Sequence, residues 1–255
     1  MLPEERLTQI YNTIVKTKAV KIDELAQFYD VTTMTIRRDL DKLTELYSNV
    51  KRCHGGAVLS TEVDSEEEFE NKQNLNVTEK SSIAKAAFDL ISENDTIYLD
   101  AGTTTLELAK LIAGSQLHLN VMTNDLEIAK TLRNCNCEVL LTGGVLQKAT
   151  GCLVGSFAEE FISKVKFKIA FMGATAINEK YEVLTPSIEK RTMKPLVLRH
   201  SSKSYLLADD NKFDKNSTYV IYTLTDFTGV ITTKKFTEQE LKQMENLGIN
   251  IIGLS

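Results

Sequence analysis

The sequence contains no apolar run approaching 18 residues, the length that marks a candidate membrane-spanning helix. Its opening stretch, MLPEERLTQIYNTIVKTKAV, is amphipathic and mixes both charge signs, which does not fit the layout of a secretion signal. The expected location is therefore the cytoplasm. Cysteine is scarce: Cys53, Cys135, Cys137 and Cys152 form no CxxC pair, and no histidine stands at ligand spacing beside them. Reduced structural thiols are expected, with no metal and no cofactor. Positive charge is also in deficit, since 30 Lys and Arg against 35 Asp and Glu leave a formal charge of −5. Taken as a bulk figure, that argues against a protein built to bind nucleic acid along its whole length.

The deficit is uneven. Residues 1–60 hold nine basic side chains against eight acidic ones, and the excess of acid lies beyond them. The change of character falls at TEVDSEEEFE, residues 61–70, with six acids and no base directly after the first sixty residues. The sequence accordingly divides into an N-terminal domain (1–60), a linker (61–75) and a larger C-terminal domain (76–255). With 42% hydrophobic residues, the chain has enough apolar surface to bury a substantial core.

In the first domain, Leu7, Ile10, Tyr11, Ile14 and Val15 recur at helical spacing, and Ile22, Leu25, Ala26 and Tyr29 begin a second stripe. Thr32 is placed to cap a third helix, whose core-facing residues are Ile36, Leu40, Leu43 and Tyr47. Turning about 100° per residue puts Arg38 and Met34 nearly opposite that stripe and Arg37 and Thr35 on its flanks. Asp41 and Glu45 follow on the outer face, so this helix is positive at its N-terminal end and acidic at its C-terminal end. A polyanion would accept only the first turns, where free backbone N–H groups add to the potential. Two segments around His54-Gly55-Gly56, at 50–53 and 57–59, read as a hairpin. Three helices and a basic hairpin make a winged helix-turn-helix. Its candidate DNA-binding residues are Thr33, Met34, Thr35, Arg37 and Arg38 on the helix, with Lys51, Arg52 and His54 on the wing.

Beyond residue 76 helices and buried strands alternate, with strands expected at 95–100, 117–122, 138–141, 167–172 and 204–208, two more between 218 and 232, and one at 249–252. That pattern implies an α/β domain with a largely parallel sheet, in which ligands bind beyond the carboxyl ends of the strands. Those ends carry Asp100, Gly102, Thr103, Thr104 and Thr105; Thr123 and Asn124; Gly143 and Gly144; and an Asp-Asp-Asn-Lys run ending in Lys212. Glycine followed by hydroxyl side chains at a helix N-terminus suits an oxyanion. Lys80, Lys194 and Lys212 are the candidate cations beside it. Asp100, Thr123 and Asn124 are candidates for bonds to sugar hydroxyls.

These segments resemble a known family. Arg6 with Ile10, then TTMTIRRDL, then RCHGGA, are similar to the DNA-binding domain of the DeoR-type bacterial transcription regulators of sugar metabolism. EKSSIAKAA, DAGTTT, VMTND, LLTGG and ADDNKF, between Lys80 and Phe213, are similar to the effector-binding domain of the same family. The resemblance implies a repressor of a sugar-utilisation operon, controlled by a phosphorylated sugar and working as a homo-oligomer, dimer or tetramer, on double-stranded operator DNA. It also implies a sensor domain with the fold of ribose-5-phosphate isomerase, which raises the rival reading of a sugar-phosphate isomerase. In that reading an acid must serve as general base. The strand at 167–172 instead runs into MGATAINEK, with Thr175 where many members of the family carry aspartate, so no enzyme is expected. GATAIN and VLTPSIEK look most like the branch of the lactose phosphotransferase system repressor, which would imply tagatose 6-phosphate as effector.

Overall fold

The computed structural model describes residues 2–47, 49–63, 65–66 and 69–254. Ser48 of the stretch before the hairpin, and Asp64, Glu67 and Glu68 of the acidic stretch, lie outside the described residues.

Helix α1 (Pro3–Thr17) begins on a proline, which surrenders no hydrogen bond at that position, and stops at Lys18 in the left-handed region. The segment that breaks the helical spacing is itself a strand, β1 (Ala19–Lys21). Helix α2 (Ile22–Tyr29) ends on Asp30 at φ 51°. Helix α3 (Thr33–Leu46) is capped by Thr32, whose hydroxyl accepts from the Thr35 N–H at 3.2 Å. Strands β2 (Val50–Cys53) and β3 (Gly56–Leu59) form the hairpin, and β1 pairs antiparallel with the free side of β3.

The two glycines of the hairpin do different work. Gly55 takes the turn at φ 85°, whereas a Cβ on Gly56 would sit 1.9 Å from the Val20 carbonyl oxygen. Only a glycine lets β1 approach there. Gly56→Ala is expected to force β1 off β3 and to cost roughly 1–3 kcal/mol, the usual range for overpacking. A lowered denaturation midpoint of the full chain, larger than the loss for Gly55→Asn, which meets no neighbour and bears only the strain of φ 85°, checks this.

Leu7, Ile10, Ile14, Ile36, Leu40 and Leu43 meet in the core of this domain. Each contributes on the order of 1.5–3 kcal/mol by burial. Tyr47 completes the α3 stripe by stacking on Tyr11, with ring centroids 3.8 Å apart.

After a short helix α4 (Phe69–Gln73) and α5 (Val77–Phe88), the chain enters a seven-stranded sheet in which every pairing is parallel. Its strands are β4 (Thr96–Leu99), β5 (Leu119–Thr123), β6 (Cys137–Leu141), β7 (Phe167–Gly173), β8 (Ser201–Ala208), β9 (Gly229–Thr232) and β10 (Ile251–Gly253). Helices α6 (Thr103–Ala113), α7 (Leu126–Leu132), α8 (Ser156–Ser163), α9 (Ile188–Arg199) and α10 (Glu238–Asn246) lie between them. Because side chains alternate along a strand, Ile97 and Leu99 join one core with α5, α6 and α7, and Tyr98 joins the other with α8 and α9. Burial on both faces is what a parallel sheet requires.

The spatial order is β10-β9-β8-β7-β4-β5-β6. From β4 the chain runs outward to β6, then crosses to the other side at β7 and proceeds to β10. The order therefore reverses between β4 and β7, and a crevice opens beyond their carboxyl ends because the two connections leave in opposite directions. Short strands that spacing did not reveal, Val145–Gln147 with Cys152–Val154, build a hairpin over the carboxyl ends of β5 and β6.

Candidate functional site

At the tip of α3, Thr33, Met34, Arg37 and Arg38 are exposed, and Thr35 is half-buried. The Thr35 hydroxyl lies 3.0 Å from that of Thr32, so it helps close the cap. The first turn of α3 contains no acid, which leaves the positive end of the helix uncompensated. Arg37 and Arg38 make no ion pair among the described residues.

Their neighbour Asp39 is turned the other way. It receives the Arg6 guanidinium through two bonds, Nε to Oδ2 at 2.6 Å and a second nitrogen to Oδ1 at 3.3 Å, with both side chains about 10% exposed. A planar fork against a carboxylate has one preferred geometry, so this pair sets the rotation of α3 against α1. On the wing, Lys51, Arg52 and His54 are exposed. Arg52 donates to Asp41 at 3.0 Å and to the Gly56 carbonyl at 2.9 Å, which ties the wing to α3.

The second site is the crevice at the strand reversal. Gly102, Thr103, Thr104 and Thr105 at the N-terminus of α6 form one wall, and Gly173, Ala174 and Thr175 after β7 form another. Lys72, Lys190, Lys194, Lys212 and Lys215 also line it, and Asn49, Val63 and Glu66 face it from the N-terminal side. Lys194 donates to Asp100 Oδ2 at 2.6 Å and to the Gly173 carbonyl at 3.0 Å. Asp100 accepts the Gly173 N–H at 2.9 Å through that same oxygen, so its other oxygen, Oδ1, is buried with no hydrogen bond among the described residues. Thr105 donates to the backbone carbonyls of Asp100 and Gly102 and so shapes the loop.

Lys190 is buried and donates to Glu66 Oε1 at 2.8 Å. Burial alone would pull its pKa down, but the facing Glu66, with Cys152 and Asp100, holds it above the ordinary lysine value. Glu66 behaves in mirror fashion. Desolvation opposes its charge, yet Lys190, Lys72 and Lys194 bring its pKa below the usual carboxylate value. The crevice is thus a strongly cationic, partly dehydrated cavity.

Of the residues expected to bind an effector, Gly102, Thr103, Thr104, Thr105, Lys194 and Lys212 are brought together here, with Asp100 beneath them. Five others are not. Lys80 is buried against the backbone, donating to the carbonyls of Lys72 and Leu75. Thr123 accepts the Asp125 N–H, while Asn124 bridges the Tyr98 hydroxyl and the Leu153 carbonyl under the hairpin. Gly143 and Gly144 follow the edge strand β6, where a Cβ on Gly144 would meet the Val154 carbonyl at 2.5 Å, so that glycine serves close packing. The physical reason is common to the last four. β6 is the edge strand, and the hairpin of Val145–Gln147 with Cys152–Val154 packs against the ends of both β5 and β6. Missed altogether were Glu66, Lys72, Lys190 and Lys215, which come from the linker, a five-residue helix, the start of α9 and a loop. Only the run SIEK, residues 187–190, carried a signal, as a capped helix start pointing a lysine at the sheet.

A winged helix with an exposed basic helix tip, joined to a switch-point domain with a cationic crevice, defines a DNA-binding regulator with its own sensor domain. A family model described as the DeoR-like helix-turn-helix domain matches residues 6–63, and one described as the DeoR C terminal sensor domain matches residues 75–234. The chain belongs to the DeoR family, whose members are transcription regulators and not enzymes. An "Uncharacterized HTH-type transcriptional regulator" of Haemophilus influenzae is 36% identical over 252 residues, covering 98% of this chain and 97% of its own. The "Lactose phosphotransferase system repressor" of Lactococcus lactis subsp. lactis is 32% identical over 246 residues, 95% of this chain and 96% of its own. Among solved structures, ribose 5-phosphate isomerase A of Methanocaldococcus jannaschii aligns with a TM-score of 0.40 and 16% identity over 54% of this chain and 55% of that one. Among the described residues no helix is long and apolar enough to cross a membrane.

Proposed function

We propose that this chain is a sequence-specific repressor of a sugar-utilisation operon, and that a phosphorylated sugar in the crevice lowers its affinity for the operator. Thr33, Met34, Thr35, Arg37 and Arg38 enter the major groove, and Lys51, Arg52 and His54 hold the flanking backbone. The observation that carries the effector reading is the meeting of the α6 N-terminus with Lys190, Lys194 and Lys212 at the strand reversal. Backbone N–H groups and hydroxyls of Gly102 to Thr104 suit the phosphate oxygens, and the lysines supply the opposite charge. Asp100 offers an acceptor to a sugar hydroxyl. Thr175 lines the wall after β7, which supports a part for it in selecting among sugars. The relatives' names, one of them a lactose system repressor, favour a sugar operon as the target.

One domain with a near-neutral charge neutralises few phosphates, so a single copy binds DNA weakly. The working form is therefore a homo-oligomer, dimer or tetramer, that presents paired winged helices to repeated half-sites in the cytoplasm. A thermal-shift screen of sugar phosphates on the full chain tests the effector reading. At a hundredfold excess over Kd the matching ligand adds about 2.7 kcal/mol, or roughly 5–10 °C in melting temperature. The same sugar without its phosphate is expected to give no shift. Equal shifts from both forms would rule out the anion site.

A further inference from the structure

One of the buried ion pairs of the crevice is made by a residue that belongs to neither the winged helix nor the sheet. Glu66 lies between the strand Glu62–Val63 and α4, and its carboxylate reaches Lys190 at 2.8 Å and the Thr185 hydroxyl at 3.4 Å. Lys72 stands 3.9 Å from its other oxygen, Oε2, which is buried without a hydrogen bond among the described residues. A carboxylate thus already sits among the lysines. One of its oxygens is well held and the other is not, as for a group that satisfies the charge of a site without using its full donor set.

We propose that Glu66 is an internal stand-in for the effector's anionic group: it fills the lysine site while the effector is absent, and a phosphate expels it. The inference rests on the crevice being the effector site. Expulsion has a mechanical consequence. Lys72 and Asn71 share α4, and the Asn71 side chain donates at 2.7 Å to the carbonyl of Leu46, the last residue of α3. Asn49 and Val63, on either side of the wing, also face the crevice. A ligand that removes Glu66 therefore loosens the segment that steadies the recognition helix.

Charge favours the exchange. A phosphate monoester carries about −1.5 to −2 at neutral pH, against one negative charge on Glu66, and it offers more acceptor oxygens. Lys190 is buried, so Glu66 leaves only as another anion arrives; an empty site would strand an uncompensated ammonium. The site then has two occupied states rather than a graded response.

Titration calorimetry of inorganic phosphate into the full chain, at low ionic strength, tests this with Glu66→Gln beside the unaltered protein. The variant keeps size and hydrogen bonding but removes the competing charge, and it is expected to bind phosphate at least tenfold more tightly. Hydrogen exchange supplies a second measurement that needs no variant: phosphate should speed exchange at residues 69–73 of the unaltered protein. If the unaltered protein binds phosphate but Glu66→Gln binds it no better, or if exchange at 69–73 stays unchanged on binding, the stand-in role is overturned and the crevice remains the anion site. If neither protein binds phosphate, both readings fall together.

Discussion

Replacing Asp39 by alanine is expected to destabilise the winged helix by about 3 kcal/mol, the lower end of the range for breaking a buried ion pair. The cost comes less from the lost attraction than from what remains. Arg6 would stay wedged between α1 and α3 with about a tenth of its side chain in water and no carboxylate opposite it. In a domain of roughly sixty residues, whose total stability is small, this is a large fraction. It corresponds to a fall of roughly 10–20 °C in the melting of that domain. Calorimetry of the full chain reads it as a shift of the winged-helix transition, with the sheet domain unmoved. Arg6→Met combined with Asp39→Leu should recover most of the loss, because a paired apolar replacement strands no charge. A single variant within 0.5 kcal/mol of the parent, the ordinary span for surface changes, would show the pair to be dispensable.

The second large effect is on DNA. Arg38→Ala is expected to weaken binding to duplexes that the unaltered protein selects from a random pool by roughly 10- to 100-fold, and the double change with Arg37→Ala by more. These figures follow from about 1–3 kcal/mol for a good base contact. Both side chains are exposed, so melting temperature should hold. The salt dependence separates the two roles. Loss of a phosphate contact lowers the slope of log K against log salt by about one, whereas loss of a base contact relaxes the selected sequence and leaves the slope nearly unchanged. Binding that survives both changes would exclude the α3 tip as the recognition surface.

What could be read in the sequence, and what could not, divides along physical lines. The three helices of the first domain were legible because Ile36, Leu40 and Leu43 repeat at the helical period and Thr32 is a capping residue. The parallel sheet was legible because strands such as Phe167–Gly173 are long, apolar runs that must be buried on both faces. Strand β1 was not, since three residues show no period and its pairing depends on Gly56, more than thirty positions away. The crevice was half legible. Gly102 to Thr105 announce themselves as a local motif, but Lys190 and Glu66 are brought together across 124 positions by the return of the chain. Not every strand end joins the crevice: the ends of β4, β7 and β8 border it, and those of β5 and β6 do not. Thr123, Asn124, Gly143 and Gly144 have the right chemistry on strands that a hairpin covers.

Among the described residues, the winged helix and the sheet domain bury separate cores, with no buried side chain in common. If the crevice is the effector site as proposed, a change in the wall after β7 that alters which ligand fits need not disturb Arg37 or Arg38. If the α3 tip reads the operator as proposed, a change there leaves the crevice lysines where they are. Mutation can thus retune what the molecule senses and what it controls as two independent dials, provided the short tether between them keeps its hold on both.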